Sequence, residues 1–172
     1  GAVRIQIPTD SAYLVAPKAQ SRAGGFHFLT DKSGTIFNVP IYVLAKVIQR
    51  VMASAAEAES NALFMSAQEA VHLQTILIAL GWKQPQTTMI TDNNTAIGFA
   101  NNTIKQAKSK SWDMNTNWLK CRAAQNQFSF QWADGKKNLA DYPTKHHPAK
   151  LHRACRLIFT YIPGKSPDTL AR

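Results

Sequence analysis

Three strand patterns come before any helix in this chain, and the first helix is long. Residues 3–8 alternate apolar and polar (Val3, Ile5, Ile7), the two-residue period of a half-buried strand. FHFLTD (26–31) reads as a second strand after the Gly24-Gly25 pair. DKSG is a turn, and TIFNVPIYV (35–43) is a third strand broken at Pro40. A helix over 55–80 follows: Ser54 is a good N-cap, Glu57 has the spacing of a capping box, and Gly81 stops it. Strands and helices then alternate. TTMITD (87–92) is a short buried strand that runs into a helix at NNTAIGFANN, residues 114–124 are helical, and QFSFQWA (127–133) is a strand. NLADYPTKHHP (138–148) holds a short helical piece, and AKLHRACRLIFTY (149–161) is an amphipathic helix. The order βββαβα(α)βα predicts an α/β fold. Its mixed five-stranded sheet has three antiparallel strands, then βαβ elements, with flanking helices. At 172 residues this predicts one domain over 1–163 and a C-terminal tail over 164–172.

Net charge is +10, from 20 Lys and Arg against 10 Asp and Glu. That balance points to a polyanionic partner, most simply nucleic acid. Lys105, Lys108, Lys110, Lys120 and Arg122 are candidate phosphate contacts in a late, basic part of the chain. Trp112 and Trp118 fit core packing better than stacking on bases. Hydrophobic residues make up 45%, which suits a globular chain. No apolar run approaches the roughly 20 residues of a membrane span. The opening GAVRIQIPTD reads as neither signal nor transit peptide, but as a piece of a longer polypeptide, with Gly1 a cloning remnant. Cys121 and Cys155 lack metal-ligand spacing, so the expected setting is reduced and intracellular.

With so few acids, the place of each is informative. Four stand at element junctions: Asp10 in PTDSAYL, Glu59 in SAAEAESNAL, Asp92 in ITDNNTAI and Asp141 in NLADYPTK. Asp10 and Asp92 each end a strand pattern, where open α/β sheets place their sites. Taken singly, each has a bland role open to it. Asp10 fits a turn, Asp92 fits a helix N-cap (a role Asn93 or Asn94 could fill instead), and Asp141 fits a solvated helix. Glu57 and Glu59 compete for the helix position, about 200° apart around it. Helical steps from Glu59 reach Leu63, Ser66, Ala70, Leu73 and Leu77, a largely apolar face; steps from Glu57 reach Asn61, Phe64, Gln68, Val71 and Thr75, a mixed one. Glu59 therefore turns toward the sheet, while capping explains Glu57. A carboxylate on a buried face is costly unless paired or metal-bound.

Basic residues for a polyanion and a few acids for a cation suit metal-dependent phosphodiester hydrolysis. Two Mg²⁺ ions about 4 Å apart activate the water and stabilise the leaving oxygen, and magnesium takes oxygen ligands. In this reading Asp10 bridges both ions, Glu59 and Asp92 hold the ion nearer the leaving group, and Asp141 holds the ion that activates water. Asn93 and Asn94, beside Asp92, are placed to donate to the minor groove of a hybrid duplex.

At these residues the chain resembles the ribonuclease H domain of copia-type LTR retrotransposon polyproteins. The resemblance runs over about residues 6–160, through DSAYLVAPKAQSRAGGFHFL, MASAAEAESNALF, ITDNNTAI and NLADYPTKHHPAKLHR. It implies a ribonuclease H-like fold and cleavage of the RNA strand of RNA–DNA hybrids during reverse transcription, with Mg²⁺ or Mn²⁺. Asp10, Glu59, Asp92 and Asp141 fall on the family's acidic positions. The implied partner is the reverse transcriptase domain of the same polyprotein, in the cytoplasm or in virus-like particles. Two departures are visible. SKSWDMNTNWLK lacks the family's basic residue near Asn115, and ADGKKN lacks the His that cellular ribonucleases H often carry before the last Asp. His146 and His147 lie past Asp141 and read as a polar helix start. Two other functions remain open. A non-catalytic scaffold has no reason to keep Glu59, and a strand-transfer enzyme of the integrase kind places its Glu last.

Overall fold

The computed structural model describes residues 3–37, 39–104 and 110–160. Five strands, β1 (Arg4–Ala16), β2 (Gln20–Thr30), β3 (Tyr42–Val47), β4 (Thr87–Thr91) and β5 (Phe128–Trp132), form one sheet in the order β3-β2-β1-β4-β5. The first three pair antiparallel; β1 with β4 and β4 with β5 pair parallel. The mixed five-stranded sheet is the one the element order predicts.

β1 runs past its predicted end. Pro8 reads as a terminus because proline donates nothing to a ladder, yet one register holds from Arg4↔Thr30 to Ala12↔Arg22. Asp10, expected at a strand end, therefore lies inside β1, opposite Gly24. Pairing with β4 stops at Pro8↔Ile90, so Asp10 still stands beyond the parallel pair, level with Asp92. β2 begins before the predicted segment and contains the glycine pair. Both glycines are needed for close approach. A Cβ on Gly24 would come within 2.6 Å of Thr144 Cγ2, and one on Gly25 would overlap Ser66 Oγ. The third strand starts after Pro40, not across it; Ile36 makes a single bridge, to Thr30.

Among the described residues five α-helices flank the sheet: α1 (Ala55–Ala79), α2 (Asn94–Ala100), α3 (Lys110–Ala124), α4 (Asp141–Thr144) and α5 (Ala149–Phe159). α1 begins as predicted, with Ser54 Oγ accepting from the Glu57 N–H at 3.1 Å. It closes in a Schellman motif, Trp82 N–H to Leu77 O and Gly81 N–H to Ile78 O. Its inner face, Leu63, Ala67, Ala70 and Leu77, packs on Ile5, Ile7, Met89, Phe128 and Phe130. Trp118 of α3 joins this core edge-on to Phe64 at 5.4 Å, as expected of a packing tryptophan. On the other face of the sheet, Phe26 and Phe28 pack with Ala140, Tyr142 and Phe159. This second core seats α4, and with it Asp141 and Thr144, over the β1/β2 pair. Lys105, Lys108 and the tail expected over 164–172 lie outside the described residues.

Candidate metal centre

Asp10 from β1, Glu59 from the second turn of α1 and Asp92 from the end of β4 each offer a carboxylate oxygen, and the three lie within 4.8 Å of one another. Three elements distant in sequence meet there because α1 runs along the sheet, with Glu59 in its opening turns beside Ser11 and Thr91, and Gln74 farther on beside Thr87 at the start of β4. Glu59 is anchored at this meeting point. Its Oε1 accepts from the Ser11 N–H (3.1 Å) and the Ser11 hydroxyl (2.9 Å), and its Oε2 from the Thr91 hydroxyl (3.4 Å).

Burial, then the neighbouring Asp10 charge, pushes the Glu59 carboxyl up to about 8 against the pull of the Ser11 bonds. Burial also pushes Asp10 up to about 6; the Thr144 hydrogen bond and the Lys145 charge pull it back, and Asp141 and Asp92 raise it. A divalent cation would reverse this cost, because it stabilises the ionised form of every member. The donor set is all carboxylate oxygen, the chemistry that Mg²⁺ and Mn²⁺ prefer. The residues present fit such an ion.

Asp141 stands apart from that triad. Its Oδ1 is paired with Lys145, four residues on. Burial would lower the Lys145 ammonium, but the Asp141 hydrogen bond and the charges of Asp10, Asp141 and Asp92 outweigh it and hold it above the usual lysine value. Thr144 on the same short helix donates to Asp10 Oδ2. Sequence reasoning missed both residues, although the i,i+4 spacing of Asp141 and Lys145 was a legible signal. It also missed three supports. Ser11 holds Glu59, and Asn138 ties the last loop to β1 through its amide and the Thr9 carbonyl (2.8 Å). The Trp132 indole donates to the Asp92 carbonyl at 2.9 Å. The turn from Asp134 packs on the site, where a Cβ on Gly135 would overlap Asp92 Oδ2.

The predicted substrate residues are dispersed. Asn93 caps α2, its Oδ1 accepting from the Ala96 N–H at 3.0 Å, which frees Asp92 of that role; Asn94 is exposed in the first turn. Lys110 opens α3, and Lys120 lies farther along it, half-buried. Arg122 is engaged within the protein, donating to Gln127 Oε1 (2.9 Å) with its guanidinium 4.9 Å from the Trp118 ring centre. His147 precedes α5 and is not a plain polar helix start: Nε2 lies 3.2 Å from the Asp141 carbonyl and the ring stacks on Tyr142.

No family model matches the sequence, and no curated protein matches it. Solved structures do. The N-terminal RNase H domain of a Mycobacterium tuberculosis protein, solved as a maltose-binding-protein fusion, superposes with TM-score 0.58 at 16% identity, covering 83% of this chain and 91% of that one. LC11-RNase H1 in complex with an RNA/DNA hybrid gives 0.54 at 15%, covering 81% and 91%. The foamy virus RNase H domain gives 0.54 at 14%, covering 84% and 93%. The fold is that of ribonuclease H. In this ribonuclease H fold the carboxylate triad occupies the C-terminal edge of the β1/β4 pair, with α4 and the 134–138 turn closing one side.

Proposed function

We propose that this protein is a divalent-metal-dependent endonuclease that hydrolyses the RNA strand of RNA–DNA hybrids, serving reverse transcription of a copia-type retrotransposon. The observation that carries this reading is the convergence of Asp10, Glu59 and Asp92 within 4.8 Å, two of them buried at an electrostatic cost that a bound cation would relieve. A relative of the same fold has been solved with an RNA/DNA hybrid, which supports that substrate.

Asp10, Glu59 and Asp92 would hold Mg²⁺ or Mn²⁺, with Asp141 as the fourth ligand at the edge of the site. Bound there, two such ions supply an activated water and charge stabilisation at the leaving oxygen. The chain's own residues do the positioning. Ser11 and Thr91 orient Glu59, Thr144 orients Asp10, and the Trp132 indole fixes the backbone at Asp92. Asn93 and Asn94 face the minor groove, and Lys105, Lys108, Lys110 and Lys120 supply positive charge to the backbone, while Arg122 is held by Gln127 and Trp118. The reverse transcriptase domain of the same polyprotein is the partner that brings the hybrid, in the cytoplasm or in virus-like particles.

The test is gel-resolved cleavage of a labelled hybrid beside double-stranded RNA and DNA, with Mg²⁺, Mn²⁺ or EDTA. Only the RNA strand of the hybrid is cut, only with metal, and Asp92→Asn removes cutting while the hybrid still binds. Hybrid binding with no cutting at high protein in Mn²⁺ points instead to a non-catalytic scaffold. Retained cleavage by Asp92→Asn overturns the site.

A further inference from the structure

Arg22 lies on β2, two rungs of the ladder from Asp10 of the candidate metal centre. It pairs with Ala12 of β1 and Val47 of β3. Gly24, the next residue on the same face, pairs with Asp10. Side chains alternate along a strand, so Arg22, Gly24 and Asp10 share one face, the face on which Thr144 of α4 meets Asp10 and packs on Gly24. Arg22 and Asp10 are then diagonal neighbours, about 7–8 Å apart, a span that a long side chain covers. None of Ala12, Val47 and Gly24 has a side-chain acceptor. Among the described residues the Arg22 side chain makes no ion pair, and its Nε is buried without a hydrogen-bond partner. A buried donor left unpaired costs about 1–3 kcal/mol, a cost that an acceptor supplied by a ligand would relieve.

We propose that Arg22 binds a backbone phosphate of the nucleic acid, next to the phosphate held at Asp10, Glu59 and Asp92. This rests on the nucleic-acid reading above. The guanidinium fork matches a phosphate in two parallel hydrogen bonds, a geometry lysine does not offer. Arg22 thereby gives the site a grip on the β2 side, opposite the β5 side where Trp132 stands.

The experiment is hybrid binding by fluorescence anisotropy in EDTA, across a salt series, for the wild type, Arg22→Gln and Arg22→Lys. Melting curves and Mn²⁺ titration run alongside as checks on the fold and the metal centre. Losing one phosphate contact weakens Arg22→Gln binding several-fold and lowers the slope of log affinity against log salt by about 1. Arg22→Lys keeps most of the slope and loses part of the affinity, while Mn²⁺ binding holds in both variants. Phenylglyoxal modification of wild-type Arg22, mapped by mass spectrometry, slows in excess hybrid, and this arm decides the matter if Arg22→Gln fails to fold. Unchanged affinity, slope and modification rate, with a wild type that binds hybrid normally, overturn the assignment of Arg22 alone. A wild type that binds no nucleic acid overturns the nucleic-acid reading and the assignment together.

Discussion

Glu57 and Glu59 sit in the opening turns of α1 with almost the same exposure, 7% and 6%, and their surroundings differ in kind. Glu57 closes the end of its own helix. Its carboxylate accepts from the Ala53 N–H at 2.7 Å, and its N–H donates to Ser54. Every partner lies within four residues, and the negative charge suits a helix N-terminus. Glu59 looks outward, across to β1 and β4, into space shared with Asp10 and Asp92. There burial and like charge work against its ionisation. Burial alone therefore does not single out the candidate metal-binding carboxylate. The mark is a charge that the fold alone makes unfavourable.

Glu59→Gln separates the two most sharply. The amide keeps the shape and removes the charge, so hybrid cleavage falls by roughly a thousandfold or more. Stability moves the other way in the metal-free protein at pH 8. The folded-state pKa is raised, so between about pH 4.5 and 8 the folded protein holds a proton that the unfolded chain has released. Stability falls as pH rises through that window and levels above it. Asp10 adds a smaller decline of the same sign, complete near pH 6. Glu59→Gln removes the larger part, leaving a variant that is inactive and melts higher than wild type at pH 8. Melting curves in EDTA from pH 5 to 9 check this. A wild-type profile that is flat or rises with pH would erase the distinction between the two glutamates.

A smaller effect is expected at Gly135, where the last loop touches Asp92. An added Cβ would overlap Asp92 Oδ2, and the end of a side chain yields more readily than backbone. Gly135→Ala therefore swings the carboxylate and spares the fold. Turnover drops by about ten- to a hundredfold, and stability changes by less than about 1 kcal/mol. Steady-state cleavage rates beside a melting curve test it; wild-type turnover would mean that Asp92 tolerates displacement.

The same contrast shows what was legible in the sequence. Helical spacing put Glu59 on the inner face and Glu57 at the cap because both depend on local periodicity, which a single helix carries in its own residues. Strand ends were harder. Pro8 interrupts a hydrogen-bond pattern, not a register, and the register depends on β2, which sequence periodicity cannot align. Asp10 was therefore read at a strand end and lies within β1. The Gly24-Gly25 pair reads as lying just before the second strand, yet it is inside β2, in contact with Thr144 and Ser66 from two distant elements. Thr144 and Trp132 are illegible for the same reason: their roles are set by what tertiary packing brings to them, whereas the pairing of Lys145 with Asp141 is local, four residues apart. The candidate phosphate contacts on α3 were chosen for charge alone, and Arg122 turned out to be bound to Gln127 and Trp118.

Glu57→Gln is the mildest change and the strictest control. The glutamine oxygen can still accept from the Ala53 N–H, and Ser54 still accepts from the N–H of residue 57. What is lost is a negative charge at a helix N-terminus, worth about 0.3–1 kcal/mol. In a chain of this size that lowers the melting temperature by about 2–4 °C at most. Cleavage stays within about twofold of wild type, because no atom of Glu57 is among the carboxylate oxygens that meet at Asp10 and Asp92. Parallel assays of Glu57→Gln and Glu59→Gln on one hybrid substrate measure the difference directly. Equal loss of activity in both would mean that the cap sets the position of the first two turns, and that Glu59 acts only as far as Glu57 holds it in place.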